Sequence, residues 1–174
     1  LVYCASGQSR PVGDELAADG IAVRTFPGAP LKRVAGLARA LAEDEVALVH
    51  SWLFIANTYA WVANRGRRPL ITSARNCKRQ GWLHDGANRF AFRGSRRIIA
   101  NSEQVREYIA THYRAPRARI RVIHNGIDVE RFHPPAEPPA GPPLVVGVGR
   151  LVPQKDPELF VRAAAAVAAT RPGT

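Results

Sequence analysis

Arg150 and Lys155 are the two side chains of this sequence whose type and spacing best suit chemistry. They lie five residues apart in "VGVGRLVPQKDPELF", between an apolar run and the start of an amphipathic segment. An arginine fork binds two phosphate oxygens, a lysine adds a compact positive charge, and a following helix N-terminus adds its own partial positive charge. With Gly149 directly before Arg150, this loop is a candidate diphosphate site. Two ordinary surface cations in a solvated loop remain the alternative.

The loop does not carry the fingerprint of a dinucleotide-binding turn. The pattern needs a third glycine, and Val152 stands in its place. Other candidates follow other apolar runs. His50 closes one such run, and "ANS", with Asn101 and Ser102, closes another. Ligands collect at the carboxyl ends of strands in open parallel sheets, so both places are candidate site positions. For His50, a histidine hydrogen-bonded only by neighbouring backbone is the alternative.

The elements that must position these residues alternate along the chain. Short apolar runs rich in β-branched residues predict strands at 45–52, 69–74, 97–102, 120–126 and 144–151. Between them, apolar residues at helical spacing predict helices around 34–41, 56–63, 105–112 and 160–167. Residues 1–5 and 21–26 are expected to add edge or partner strands. Strands that are apolar throughout and alternate with helices predict an α/β fold with a parallel sheet covered on both faces.

Local signals predict how three of the connections are built. Asn101, with Gln104 three residues on, is expected to cap the helix of 102–113, and Asp156 is expected to cap a helix whose first residue is Pro157. Asn125 and Gly126 predict a tight turn with positive φ, which suits a chain leaving one domain.

A proline-rich segment predicts the domain boundary. Residues 134–143 contain six prolines and cannot form a helix or a central strand, so they are expected to be a stiff linker. Residues 1–133 would then form one domain and residues 144–174 the opening βα unit of a second. The sequence contains no methionine and enters directly into a strand-like run. We therefore expect a fragment or a processed chain that lacks its first strand and most of the second domain.

Positive charge is concentrated in one segment. The net charge is +11, and residues 65–121 hold fifteen basic against three acidic side chains, a balance of +12. Such a segment favours an anionic lipid surface or an anionic ligand, with an inert solvated face as the alternative. Nucleic acid is the least favoured partner, because aromatic residues are not interleaved with the arginines. Cys4 and Cys77 have no metal or redox spacing and are expected to stay reduced in the cytoplasm.

Four motifs, in order, carry a family resemblance. They are "ALVHSW", "RIIANSEQVREYI", "RVIHNGIDVERFHP" and "VVGVGRLVPQKDPELFVRA". Together they resemble the group 1, or family 4, retaining glycosyltransferases of the GT-B fold, and the resemblance covers essentially the whole chain. It implies a Rossmann-like acceptor-side domain over residues 1–133 and the start of a nucleotide-sugar-binding domain over residues 144–174.

The resemblance also implies roles for the candidate residues. Arg150 and Lys155 would be catalytic, binding the donor diphosphate beside Gly149 and stabilising its departure, with no metal ion and no cofactor. Many family members carry a histidine where this sequence has Arg75 and Asn76, which puts a directly transferred catalytic histidine in doubt. The acceptor-side candidates are His50, Arg75, Asn76, Asn101 and Ser102, and the hinge candidates are Asn125, Gly126 and Asp128.

The implied activity is transfer of a sugar from a nucleotide diphosphate sugar to a sugar, lipid-linked or other small acceptor, in glycan, glycolipid or polysaccharide synthesis. We expect a cytoplasmic protein, peripheral on the inner face of the membrane, and a fragment that is inactive alone. The alternative is a non-catalytic basic α/β module that binds nucleic acid or a protein partner.

Overall fold

The chain folds into two compact units. The structure, a computed structural model, describes residues 1–5, 9–78, 81–135, 137, 141 and 144–171. The first unit runs from Leu1 to Gly126 and the second from Ile127 to Thr174. The predicted proline linker lies mostly outside the described residues.

The first unit alternates strands and helices along its length. In chain order it contains β1 (Val2–Cys4), α1 (Val12–Ala18), β2 (Val23–Thr25), α2 (Pro30–Glu43), β3 (Val49–Trp52), α3 (Phe54–Asn64), β4 (Leu70–Ala74), α4 (Trp82–Gly94), β5 (Arg97–Ala100), α5 (Glu103–His112) and β6 (Ile120–Val122). A short 3₁₀ turn, Arg117–Arg119, leads into β6.

All strand pairs of the first unit are parallel. Four strands form one sheet in the order β3-β4-β5-β6, while β1 and β2 form a separate two-stranded sheet. In the larger sheet Trp52 lies opposite Ser73, and Ala74 lies opposite Ala100. The predicted parallel α/β fold is confirmed. The expectation of a single sheet over residues 1–133 is wrong, because in the part of the chain that the structure describes β1 and β2 pair only with each other.

Two apolar clusters hold the first unit together. One lies under α5 around Phe92, whose ring meets the edges of Phe54 and Tyr113. The other joins α2 and α3 to β3 and β4 through Leu41, Val49 and other buried side chains. Hydrogen bonding between the parallel strands, together with burial of the apolar side chains, fixes the carboxyl ends of β3 to β6 along one edge of the sheet.

Helix α4 was not predicted from the sequence. Its apolar residues point in two directions: Ala91 and Phe92 are fully buried, whereas Trp82, Leu83 and Phe90 are exposed. A helix with apolar residues on opposite faces lacks the single stripe that periodicity detects.

Two local predictions were wrong. Helix α5 begins at Glu103, and Ser102 caps it, with its Oγ accepting from Val105 N at 3.2 Å. Asn101 instead donates its side-chain amide to the Arg75 carbonyl oxygen at 3.3 Å, so it does not cap the helix. Neither Asn125 nor Gly126 has positive φ, and no tight turn forms there.

The second unit is built around one helix, α6 (Pro157–Thr170), preceded by a 3₁₀ turn at Pro153–Lys155. Asp156 caps α6 as predicted, with Oδ1 accepting from Leu159 N at 3.1 Å. The predicted strand at 144–151 is absent, because no described segment of this unit pairs with it and a single extended segment has no ladder to join. Its side chains are solvent-exposed, Val148 to 95%.

Candidate functional site

A polar cluster lies at the carboxyl end of β3 and β4. His50 Nε2 lies 2.8 Å from Ser73 Oγ on the neighbouring strand. The rings of His50 and Trp52 are 4.9 Å apart between centroids. These two side chains share a face of β3 because they are two residues apart, and both are exposed. The face that ends β3 therefore offers an imidazole and an indole to a ligand.

Arg75 joins this cluster from the residue after β4. Its guanidinium lies 4.6 Å from the centre of the Trp52 ring, and Nη2 donates to Asn125 Oδ1 after β6. Its carbonyl oxygen accepts from the Asn101 side chain after β5. One arginine thus connects the ends of all four strands. A guanidinium has five N–H donors, so Arg75 retains donors for an anionic ligand.

Asn101 has an unused acceptor. Its Oδ1 is buried and has no hydrogen-bond partner within the described part of the chain. A buried amide oxygen left unpaired costs free energy, so a ligand donor or a bound water at this position would stabilise the site. The other two polar candidates form hydrogen bonds with backbone N–H groups two or three residues away. The Ser102 hydroxyl is engaged in capping α5, and the exposed Asn76 accepts from Lys78 N at 3.3 Å.

The cluster favours a neutral imidazole. Although His50 is exposed overall, partial desolvation of its ring lowers the pKa below the ordinary value of 6.5, and the positive charge of Arg75 lowers it further. At neutral pH the imidazole is therefore uncharged, and Ser73 holds one of its nitrogens. A neutral imidazole can accept a hydrogen bond from a hydroxyl group or remove its proton.

A cavity of about 720 Å³ lies beside His50, between β1 and β3. Its walls are mainly apolar, with Phe26, Leu37 and Tyr59 among the lining residues. Tyr3 closes one side by donating its phenol to Asp44 Oδ2 at 2.6 Å, and burial and this carboxylate raise the pKa of Tyr3. The polar cluster therefore borders space that is large enough for a small molecule.

Trp52 and Ser73 are site residues that the sequence analysis missed. Trp52 follows His50 at the spacing that puts both on one face of a strand, which was the available signal. Ser73 had no comparable signal, because its position opposite Trp52 depends on the register of β3 and β4.

In the second unit, the cationic loop folds back on itself before α6. Val152 N donates to the Arg150 carbonyl oxygen, and Lys155 N donates to the Val152 carbonyl oxygen, each at 2.9 Å. A Cβ added at Gly149 would lie 3.8 Å from Lys155 Cγ. Lys155 therefore packs beside Gly149, next to the N-terminus of a 14-residue helix. Both cations are exposed, as a site for an external anion requires.

The described residues hold neither a metal site nor a membrane-crossing helix. Among them, no three His, Cys, Asp or Glu side chains converge as metal ligands do. No helix in the same residues is long and apolar enough to cross a membrane.

A comparison with protein families identifies the relatives of this fold. The model of Glycosyltransferase Family 4 matches residues 2–131, a range that holds every strand of the structure and the whole polar cluster. The chain belongs to this glycosyltransferase family. The resemblance carried by the four motifs is thereby confirmed.

The relatives of this family 4 chain are longer than it is. It is 30% identical over 162 residues to a D-inositol 3-phosphate glycosyltransferase of Mycobacterium avium, which covers 79% of this chain and 38% of the relative. The enzyme of the same name from Nocardiopsis dassonvillei is 29% identical over 187 residues, covering 86% of this chain and 44% of the relative. The family 4 chain thus spans less than half the length of these curated relatives.

Two solved structures share its fold. Anabaena Alr3699/HepE in complex with UDP and glucose superposes with a TM-score of 0.56 at 19% identity, over 67% of this chain and 34% of that one. The complex of the same protein with UDP-glucose gives a TM-score of 0.54 at 18% identity, over 74% and 44%.

Proposed function

We propose that this family 4 chain is part of an enzyme that transfers a sugar from a nucleotide diphosphate sugar to a polar acceptor. The observation that carries the proposal is the family match over residues 2–131, together with the polar cluster that those residues build at one edge of the sheet. The relatives named glycosyltransferases and the UDP-glucose bound by Anabaena Alr3699/HepE support a nucleotide-sugar donor.

Residues 1–133 would be the acceptor-side domain. Arg75 would bind an anionic group of the acceptor, since it is half-buried, fixed by Trp52 and Asn125, and retains free donors. The name of the curated relatives, which specifies inositol 3-phosphate, supports a phosphorylated polyol as the acceptor class. His50 would accept a hydrogen bond from an acceptor hydroxyl, and Asn101 Oδ1 would orient a second hydroxyl.

Residues 144–174 would begin the donor-side domain. Arg150 and Lys155 would bind the diphosphate and stabilise the negative charge that grows on the leaving oxygens, with Gly149 beside them. Two preorganised cations supply the kind of stabilisation that a divalent metal supplies elsewhere, so we propose transfer without a metal ion or another cofactor. Retention of anomeric configuration is part of the proposal. Asn125, Gly126 and Asp128 would form the joint between the domains.

We also propose that the protein works in the cytoplasm and contacts the inner face of the membrane peripherally. The +12 balance of residues 65–121 supports attraction to an anionic lipid surface, where a lipid-linked acceptor or product would lie. Cys4 and Cys77 are not joined in a disulfide, which is compatible with a reducing compartment.

A chimaeric enzyme tests the transfer proposal. This chain would replace the corresponding residues of the Mycobacterium avium relative, so that the rest of a complete enzyme surrounds it. Nucleotide sugars, UDP-glucose among them, would be offered with inositol phosphate or with inositol. We expect transfer that prefers the phosphorylated acceptor and survives chelation of divalent ions, whereas the 174-residue chain alone transfers nothing. A correctly folded chimaera that hydrolyses or transfers no donor in the panel would contradict the proposal.

A further inference from the structure

Helix α4 presents apolar side chains to solvent on the face opposite its buried one. Trp82 is 80% exposed, Leu83 64% and Phe90 56%. At 3.6 residues per turn, these three residues lie with Arg89 and Arg93 within an arc of about 120°. The residues that anchor α4 to the unit, Asn88, Ala91 and Phe92, occupy the opposite side. The helix therefore packs one face against the unit and presents a second, aromatic face to solvent.

The aromatic surface continues onto the neighbouring helix. The Trp61 ring of α3 stacks on Phe90, with centroids 5.8 Å apart and planes inclined by 14°. Val62, the next residue of α3, is 41% exposed. The exposed aromatic side chains of α4, together with the half-buried Trp61 of the adjacent helix, form a patch of the kind that marks an interaction surface. We call Trp61, Trp82, Leu83 and Phe90 the aromatic patch.

Arginines lie beside the aromatic patch. Arg89 and Arg93 belong to α4, and a cavity of about 570 Å³ that includes Trp61 is lined by five more: Arg67, Arg68, Arg96, Arg97 and Arg119. No carboxylate lines that cavity. Arg68 and Arg119 donate to backbone carbonyl oxygens of Val46, Arg93 and Ser95, which fix their positions without neutralising their charge. The Trp61 side of the patch is therefore strongly positive.

We propose that α4 is an interfacial helix that inserts the aromatic patch into an anionic lipid bilayer, with the neighbouring arginines on the lipid phosphates. The inference deepens the peripheral membrane contact proposed above and rests on it. Tryptophan, phenylalanine and leucine on one face, flanked by arginine, are the composition of helices that lie in the plane of a membrane. Charge complementarity selects the bilayer, since Arg89, Arg93 and the arginine-lined cavity beside Trp61 match phosphate headgroups.

Vesicle co-sedimentation of the 174-residue chain tests this assignment. Two vesicle types are used: phosphatidylcholine alone, and equal parts of phosphatidylcholine and phosphatidylglycerol. We expect binding to the mixed vesicles and a shift of tryptophan emission to shorter wavelength on binding. The variant W82S/L83S should lose roughly tenfold in affinity because it removes inserted apolar surface. The variant R89Q/R93Q should lose a similar factor, and only on the anionic vesicles.

Matched controls lie on α2. Leu31 is 85% exposed, and Lys32 and Arg39 are exposed cations. The variants L31S and K32Q/R39Q should therefore bind vesicles as the unmodified chain does. Circular dichroism checks that each variant is folded.

Three results would overturn the assignment. The first is unchanged vesicle binding of W82S/L83S, and the second is an equal loss in the α2 controls. The third is a W82S/L83S effect seen only on self-association in the absence of vesicles, which would make the aromatic patch a protein contact. Vesicle binding needs no donor sugar, so its failure is separable from failure of the transfer proposal: an active chimaera that ignores vesicles would overturn this inference and the peripheral membrane contact on which it rests, and would leave the transfer proposal standing.

Discussion

At the scale of single residues, the site depends on Arg75. Its side chain contacts Trp52 and Asn125, its carbonyl oxygen holds Asn101, and its charge acts on His50. Arg75 stands at the position where the family resemblance led us to expect a histidine. In the structure it connects the ends of four strands. A guanidinium here favours a neutral imidazole and an anionic ligand together, which is the combination that the proposed acceptor needs.

The titration of His50 tests this electrostatic coupling. We expect its pKa, measured from ring proton shifts by NMR, to lie below 6.5, and the variant R75Q to raise it while burial still holds it down. At pH values between the pKa of folded His50 and 6.5, the unfolded chain binds more protons than the folded chain. The contribution of His50 to the free energy of unfolding therefore rises with pH across that interval and levels off above it. A His50 pKa that R75Q leaves unchanged would show that Arg75 does not act on the imidazole.

At the scale of elements, the local sequence pattern predicted those strands and caps that do not depend on tertiary pairing. Apolar runs located β3 to β6, and Asp156 was correctly identified as the cap of α6. The cap of α5 was assigned one residue too early, because Asn101 and Ser102 both suit a cap and only the backbone path gives Ser102 that role. The separate pairing of β1 with β2 and the absence of a strand at 144–151 follow from which partners are near, and local sequence does not contain that information.

Helix α4 offers a paired test at this scale, because Phe90 and Phe92 lie two residues apart on opposite faces. Phe92 is fully buried among Phe54 and Tyr113, so F92A should lower the free energy of unfolding by about 3–5 kcal/mol. Phe90 is 56% exposed and mainly stacks on Trp61, so F90A should cost about 1 kcal/mol or less. Chemical denaturation measures both values. Equal losses would mean that α4 does not present the aromatic patch to solvent.

At the scale of the whole molecule, the two units differ in how much surface they bury. The first has two apolar clusters, whereas the residues of the second for which burial is described are exposed, except the half-buried Val152. Helix α6 thus has a cap but no core of its own, and an isolated helix of 14 residues is marginal in water.

Hydrogen exchange should show this difference directly. Amides of α6 in the 174-residue chain should exchange almost as fast as those of an unfolded peptide, while amides of β4 and β5 should be strongly protected. In the chimaera with the Mycobacterium avium relative, the α6 amides should become protected because the remaining residues of the donor side can cover them. Strong protection of α6 in the short chain would contradict the view that this unit lacks a core.

The turnover of the chimaera when Arg150 or Lys155 is replaced by alanine tests the central claim most directly. Each cation is proposed to meet the charge that develops on the departing diphosphate, so R150A and K155A should each lower kcat by about 10² to 10³, the loss expected for one stabilising group in the transition state. R162A is the matched control, since Arg162 is an exposed cation of α6 that forms a long ion pair with Glu158, with Nε 3.9 Å from Oε1. Its kcat should stay within about twofold of the unmodified chimaera. If R150A and K155A both kept full turnover, the pair would be surface cations and the proposed donor site would be wrong.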